Sequence, residues 1–191
     1  EVRMVHDDQA AIVAAVRALA AANDHVFTSG GIGPTHDDIT ADAIAAAFGR
    51  SIDVREDARA LLMAFWEKRG AEVTEARLRM ARIPEGATLI ENPVSVAPGF
   101  TVENVHVMAG VPNIFEAMVE GVLATLQGGA PLISATWRVD RPEGDIAGPL
   151  TAFATTRPGL SIGSYPFVQD GSYGSNLVVR GTDGAAVEAA L

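Results

Sequence analysis

The chain has 191 residues, enough for one sizeable core domain with a small appendage, and 24 acidic against 14 basic residues give a net charge of −10. That balance repels a phosphodiester backbone and argues against a nucleic-acid partner. Hydrophobic residues make up 48% of the chain, largely alanine, without an uninterrupted apolar run long enough for a membrane span. The chain has no cysteine, which removes disulfides and thiolate chemistry, and a cytoplasmic location is expected.

In chain order, Val2–His6 is predicted as a strand and Asp8–Ala22 as a helix whose Ile12, Val16 and Leu19 share one face. A strand at His25–Thr28 runs into a glycine-rich loop, followed by a helix over Asp42–Phe48 with Thr40 predicted as its N-cap. Helices at Arg55–Arg69, with Leu62, Phe65 and Trp66 inward, and at Glu75–Arg82 are expected to form an insertion. Arg77, Arg79 and Arg82 read as a solvated helix face, or as reaching a neighbouring subunit's ligand. Strands follow at Thr88–Ile90, Phe100–Val102 and Val105–Met108, then a helix at Ile114–Leu126. This alternation predicts an α/β fold, a three-layer sandwich around a mainly parallel sheet, over residues 1–130.

Beyond Gly128 the character changes to a small α+β subdomain over residues 131–191. Its predicted elements are strands at Ile133–Val139, Leu160–Ser164 and Asn176–Arg180, a helix at Asp145–Thr155 and another from Gly184 onward. The glycines and acid of Asp170–Ser175 are explained by a hairpin loop.

The chemistry concentrates in Thr28–Thr40. Gly30, Gly31 and Gly33 allow several backbone N–H groups, Ile32's among them, to converge on one phosphate or carboxylate at the start of a helix. Neither a dinucleotide fingerprint nor a P-loop fits: the third glycine of the former is replaced by His36, and the lysine of the latter is missing. Asp37 and Asp38 stand in its place and would repel an anion. A divalent cation bridging carboxylate and phosphate offsets that repulsion, or a carboxylate accepts paired N–H donors from a heterocycle edge. Alternatively the two acids simply favour the positive end of the following helix. His36 can donate to a phosphate oxygen or remain a solvated loop residue, whereas His25 and His106 fit strand patterns as packed or edge residues.

Open α/β sheets bind ligands at the carboxyl ends of their strands. Besides the glycine loop, such ends occur at His6-Asp7-Asp8 and at Gly110-Val-Pro112-Asn113. Asp8 reads equally as an N-cap for its own helix.

Gly30-Gly-Ile-Gly-Pro-Thr-His-Asp-Asp-Ile-Thr-Ala-Asp42 resembles the Gly-Gly-x-Gly-Pro-x-x-x-Asp-[Val/Leu]-Thr-x-[Asp/Glu] signature of the molybdopterin-binding (MoaB/Mog) family. Its Pro-Thr-His-Asp-Asp form is most similar to the N-terminal domain of CinA proteins and the corresponding domain of eukaryotic FAD synthases. Asn92-Pro-Val-Ser-Val-Ala-Pro-Gly-Phe100 and Met108-Ala-Gly-Val-Pro-Asn113 resemble two further segments of that group. The likeness covers about residues 1 to 126. It implies a small-molecule ligand, molybdopterin or an adenine nucleotide, and a homo-oligomer. It also implies a binding surface formed by Gly30, Gly31, Ile32, Gly33, Thr35, His36, Asp37, Thr40, Asp42, Gly110 and Pro112.

Of the acids, the resemblance assigns active-site roles to Asp38 and to Asp7 or Asp8, with Mg²⁺ or another divalent cation held by Asp38. The Mog branch implies adenylyl transfer to molybdopterin in molybdenum cofactor biosynthesis. The CinA branch implies metal-dependent hydrolysis of ADP-ribose or FAD-like pyrophosphates. A non-catalytic ligand-binding or scaffold module is the alternative. The family's first strand and helix are expected ahead of Glu1, which makes this chain a fragment in that reading.

Overall fold

A computed structural model describes residues 1–190 and divides the chain into two compact units, Glu1–Leu126 and Gln127–Leu191. In the first unit, helix α1 (Gln9–Ala22) begins where Asp8 Oδ1 accepts from the Ala11 N–H at 2.8 Å, satisfying one of the unpaired donors of the first turn. Its Ile12, Ala15 and Val16 are buried in one stripe. Strand β1 (Val26–Ser29) follows, then the glycine loop and helix α2 (Thr40–Phe48). Gly49, at φ +63°, stops α2 in the left-handed conformation that a side chain disfavours.

An insertion follows, framed by the short antiparallel strands β2 (Ile52–Val54) and β3 (Arg82–Pro84). Between them lie α3 (Glu56–Glu67), α4 (Glu75–Leu78) and a 3₁₀ turn at Arg79–Ala81. The chain then returns through β4 (Thr88–Ile90), β5 (Gly99–Val102) and β6 (Val105–Met108) to α5 (Pro112–Leu123).

The sheet order is β1-β6-β5-β4. β1 and β6 pair in parallel, from Val26 opposite Val105 to Ser29 opposite Met108, and β5 and β4 extend the sheet antiparallel. Parallel pairing is thus confined to the two strands that carry the candidate loops. Side-chain alternation on β6 separates the two faces. Val105 and Val107 pack with Ile12, Val16, Ile44 and Phe100 on the α1/α2 side, whereas Met108 packs with Met118 and Val122 of α5. The result is the expected α/β layering, helices on both faces of one sheet. Phe100, Ile44 and Leu62 are at most 1% exposed, and each contributes roughly 1.5–3 kcal/mol through burial.

In the second unit, β7 (Ile133–Val139), β8 (Ser161–Gln169) and β9 (Ser172–Gly181) form an antiparallel sheet ordered β7-β9-β8, with α6 (Glu143–Thr155) and α7 (Gly184–Glu188). The β8–β9 turn is Asp170-Gly171, with φ +52° and +78°, the left-handed pair a tight hairpin requires. The hairpin loop expected over Asp170–Ser175 is therefore just these two residues, and Ser172–Ser175 belong to β9.

Several local expectations are corrected. Val2–His6 forms no strand: Val2 and Met4 are 91% and 97% exposed, and the backbone has no ladder partner to hold it extended. Ile39, not Thr40, occupies the N-cap of α2. The helix from Glu75 ends at Leu78, and Arg82 opens a strand, because Ile83-Pro84 favours extended backbone over a further helical turn. Within α3, Ala58 and Leu62 are buried, while Phe65 and Trp66 are only half-buried.

Candidate functional site

The parallel pairing places the ends of β1 and β6 side by side, and the two loops that leave them touch. Gly30 N donates to Met108 O at 2.9 Å, continuing the ladder by one bond. A Cβ on Gly110 would lie 3.0 Å from Gly30 Cα, so the two backbones approach as closely as glycine permits. Gly31, at φ +72°, is equally constrained: a Cβ there would lie 2.0 Å from Thr40 Oγ1. The Thr40 N–H donates to Gly31 O at 2.9 Å, so Thr40, 8% exposed at the first position of α2, anchors the loop to the helix. Pro112 occupies the first turn of α5, where its missing N–H costs nothing.

Asp38 closes the loop from its far side. Its Oδ2 accepts from the Thr35 N–H at 2.9 Å and from Thr35 Oγ1 at 2.5 Å. A Cβ on Gly33 would stand 2.6 Å from the same oxygen. Burial pulls the Asp38 carboxyl upward, but hydrogen bonds from Thr35 and Gly33 outweigh it and hold the group below the usual carboxylate range. Asp38 is therefore an anion at neutral pH. Asp37 and His36 face outward; the His36 side chain is 99% exposed and its Nδ1 lies 3.9 Å from Asp37 Oδ1.

Asp42, in the first turn of α2, is engaged by the insertion. Arg82 grips it with a two-pronged contact, Nη1 to Oδ2 at 2.8 Å and Nη2 to Oδ1 at 2.6 Å. A narrow pocket lies there, lined by Gly33, Asp38, Asp42, Arg79, Arg82 and Phe100, with internal room of about 10 Å³, the size of one water. On the other side of the loop a wider cleft of about 830 Å³ runs past Gly30, Gly31, Thr28 and Thr40 to α1 and the N-terminal segment. Asp7 lines this cleft, while Asp8 is committed to capping α1.

The structure thus brings Gly30, Gly31, Thr40 and Gly110 into one contiguous surface, with Ile32, Gly33, Asp38 and Asp42 on its insertion-facing side. Asp7 joins only through the cleft. Arg79 and Arg82 are the pocket residues that sequence patterning missed, since arginines at positions 77, 79 and 82 mimic a solvated face. The signal that points to Arg82 is Asp42 itself, an acid in an otherwise apolar helix, Thr40–Phe48, that needs a cation.

For a divalent cation, Asp37 and Asp38 are the loop carboxylates without an arginine partner, and of the two Asp38 lines the pocket, whereas Asp42 of α2 is already paired with Arg82. No group of three or more histidine, cysteine or acidic residues converges as a metal cage among the described residues. One carboxylate fits the manner in which Mg²⁺ is held on substrate phosphates, with water and phosphate oxygens completing the shell. No described helix is long and apolar enough to cross a membrane.

Residues 1–128 match the family model described as "Probable molybdopterin binding domain", and the chain belongs to that family. Residues 131–191 match the model "FAD synthase, middle domain". A protein of Aeropyrum pernix is 37% identical over 80% of this chain and 60% of its own length. One from Archaeoglobus fulgidus is 34% identical over 85% of this chain and 68% of its own. A CinA-like protein of Desulfosudis oleivorans is 34% identical over 83% of this chain, which spans 41% of that protein. Among solved structures, a CinA protein of unknown function from Thermoplasma acidophilum superposes with a TM-score of 0.56 at 37% identity, covering 62% of this chain and 71% of that one.

Proposed function

We propose that the first unit binds the phosphate groups of molybdopterin or an adenine nucleotide on its glycine loop and acts on a phosphoanhydride. The observation that carries this reading is the ionised Asp38 held beside a glycine turn that opens between β1, β6 and α2. Exposed N–H groups of such a turn and the positive end of α2 attract phosphate oxygens. Asp38 would hold a divalent cation at this surface, and that cation would supply charge neutralisation toward the phosphates.

Of the two phosphoanhydride reactions, hydrolysis of ADP-ribose or an FAD-like pyrophosphate has the broader support. The relatives include CinA-like proteins, and the second unit matches a module of FAD synthases. In that reaction a water oxygen attacks one phosphorus, the bridging P–O bond breaks, and the bridging oxygen leaves on the second phosphate. Adenylyl transfer would use the same surface, with a molybdopterin phosphate oxygen attacking the α-phosphorus of ATP and pyrophosphate leaving.

The test is turnover of ADP-ribose, FAD and ATP plus molybdopterin with Mg²⁺ by wild type and Asp38→Asn. Loss of about 100-fold or more in turnover is expected for the variant. Wild-type rates in Asp38→Asn would remove the metal-placing role. Thermal stabilisation by these ligands without turnover of any of them would favour a non-catalytic binding module.

A further inference from the structure

The insertion supplies three arginines close in sequence, and the structure gives two of them partners. Arg77 lies over the Trp66 ring at 3.9 Å and donates to the Glu72 carbonyl. Arg82 is held by Asp42. Arg79 is different. It lines the narrow pocket with Gly33, Asp38 and Asp42, forms no ion pair among the described residues, and its Nε is buried without a hydrogen-bonding partner. A buried guanidinium donor left unpaired is costly, and native structures retain such groups chiefly where a ligand or water completes them.

The same pocket's lining carries the complementary deficiency. Asp38 is ionised, and its hydrogen-bonding partners are neutral groups of its own loop, Thr35 and Gly33. An anion and a cation therefore border one space without pairing across it. With Asp42 and Arg82 cancelling each other, the net field at the mouth is set by Asp38 and Arg79. The space between them holds no more than a water, so a ligand seated at its mouth, with a phosphate toward Arg79 and a bound cation toward Asp38, would serve both from outside. A guanidinium suits phosphate because its N–H fork matches two phosphate oxygens.

We propose that Arg79 is the phosphate-binding cation of this site and sets its preference for a diphosphate over the corresponding nucleoside. The inference rests on the phosphoanhydride reading above and extends it by assigning the charge recognition to the insertion. The glycine loop then holds backbone-recognised oxygens, and Arg79 reads the number of phosphates.

The experiment is calorimetric titration of the full chain with ADP, adenosine and inorganic pyrophosphate in Mg²⁺, for wild type, Arg79→Gln and Arg79→Lys. Wild type is expected to prefer ADP over adenosine. Arg79→Gln should weaken ADP and pyrophosphate by at least about tenfold while leaving adenosine unchanged, and Arg79→Lys should recover part of the loss. A merely structural arginine would weaken all ligands together. If Arg79→Gln does not fold, Arg79→Lys carries the test: it must lower the ADP-to-adenosine preference at an unchanged melting temperature. A wild-type preference retained in full by the variants overturns the role of Arg79 alone. No wild-type preference for ADP, and no pyrophosphate binding, overturns the phosphoanhydride reading with it.

Discussion

At the scale of single residues, Thr35 governs the charge state of Asp38. Its hydroxyl and amide donate to the ionised carboxylate and are lost in value when that carboxylate is protonated. Because the folded pKa is depressed, the stabilisation is present above the ordinary aspartate range and disappears as pH falls through the lower folded value. Thr35→Val removes the hydroxyl donor, so the acid limb of any Asp38-dependent turnover should move to higher pH, measured as a pH–rate profile. Gly31→Ala is expected to cost about 1–3 kcal/mol in urea melts and to abolish ligand binding, since the added methyl group meets Thr40 Oγ1 at positive φ. The glycines and Asp38 were legible in the sequence because their chemistry is local: turn conformation and charge depend on neighbours a few positions away. Arg79 and Arg82 were not, because Asp42, which Arg82 pairs with, lies 40 positions earlier, and only the folded insertion brings Arg79 to the pocket that Asp38 also lines.

At the scale of elements, the insertion is fastened to α2 by the Asp42–Arg82 pair, whose side chains are 31% and 27% exposed. Asp42→Asn leaves the Arg82 charge unpaired and should lower stability by about 1–3 kcal/mol in chemical denaturation, with increased amide exchange in β2 and β3. The β1–β6 pairing has its own sensor. His106, 4% exposed, contacts His25 Nδ1 through Nε2 at 3.2 Å and Thr101 Oγ1 through Nδ1 at 3.0 Å. Burial first, and the neighbouring His25 second, press its pKa below the usual value. The unfolded chain therefore takes up the proton first. Stability should be full above about pH 6.5 and fall as pH drops toward the lower folded pKa, with His106→Gln flattening that dependence in thermal melts. Periodicity found most helices because a buried stripe such as Ile12, Ala15 and Val16 repeats in sequence. It mistook Val2–His6 for a strand because apolar alternation does not reveal whether a neighbouring strand exists, and it missed β2, whose Ile52-Asp53-Val54 is too short to show a period.

At the scale of the whole molecule, recognition and bulk charge oppose each other. A chain of net charge −10 disfavours anions at long range, so the phosphate affinity proposed above would have to come from contacts inside a Debye length of about 8 Å, such as loop N–H groups, Arg79 and a bound cation. Ligand binding should therefore stabilise the first unit locally. At a hundredfold excess of ADP over its Kd the gain is about 2.7 kcal/mol. Hydrogen exchange should register it in residues 1–126.

The close approach of Gly30 and Gly110 has a consequence for anyone who would redesign this protein. Two loops 80 positions apart in the chain share one space that holds backbone and nothing more. A library that diversifies these two positions will sample many spoiled pockets, because a side chain at Gly110 presses on Gly30, and one at Gly30 has to adopt a φ of +101°. New specificity has to be sought at their rims, at positions such as Ile32, His36 and Met80, where the wall can change while the seam between the loops stays shut.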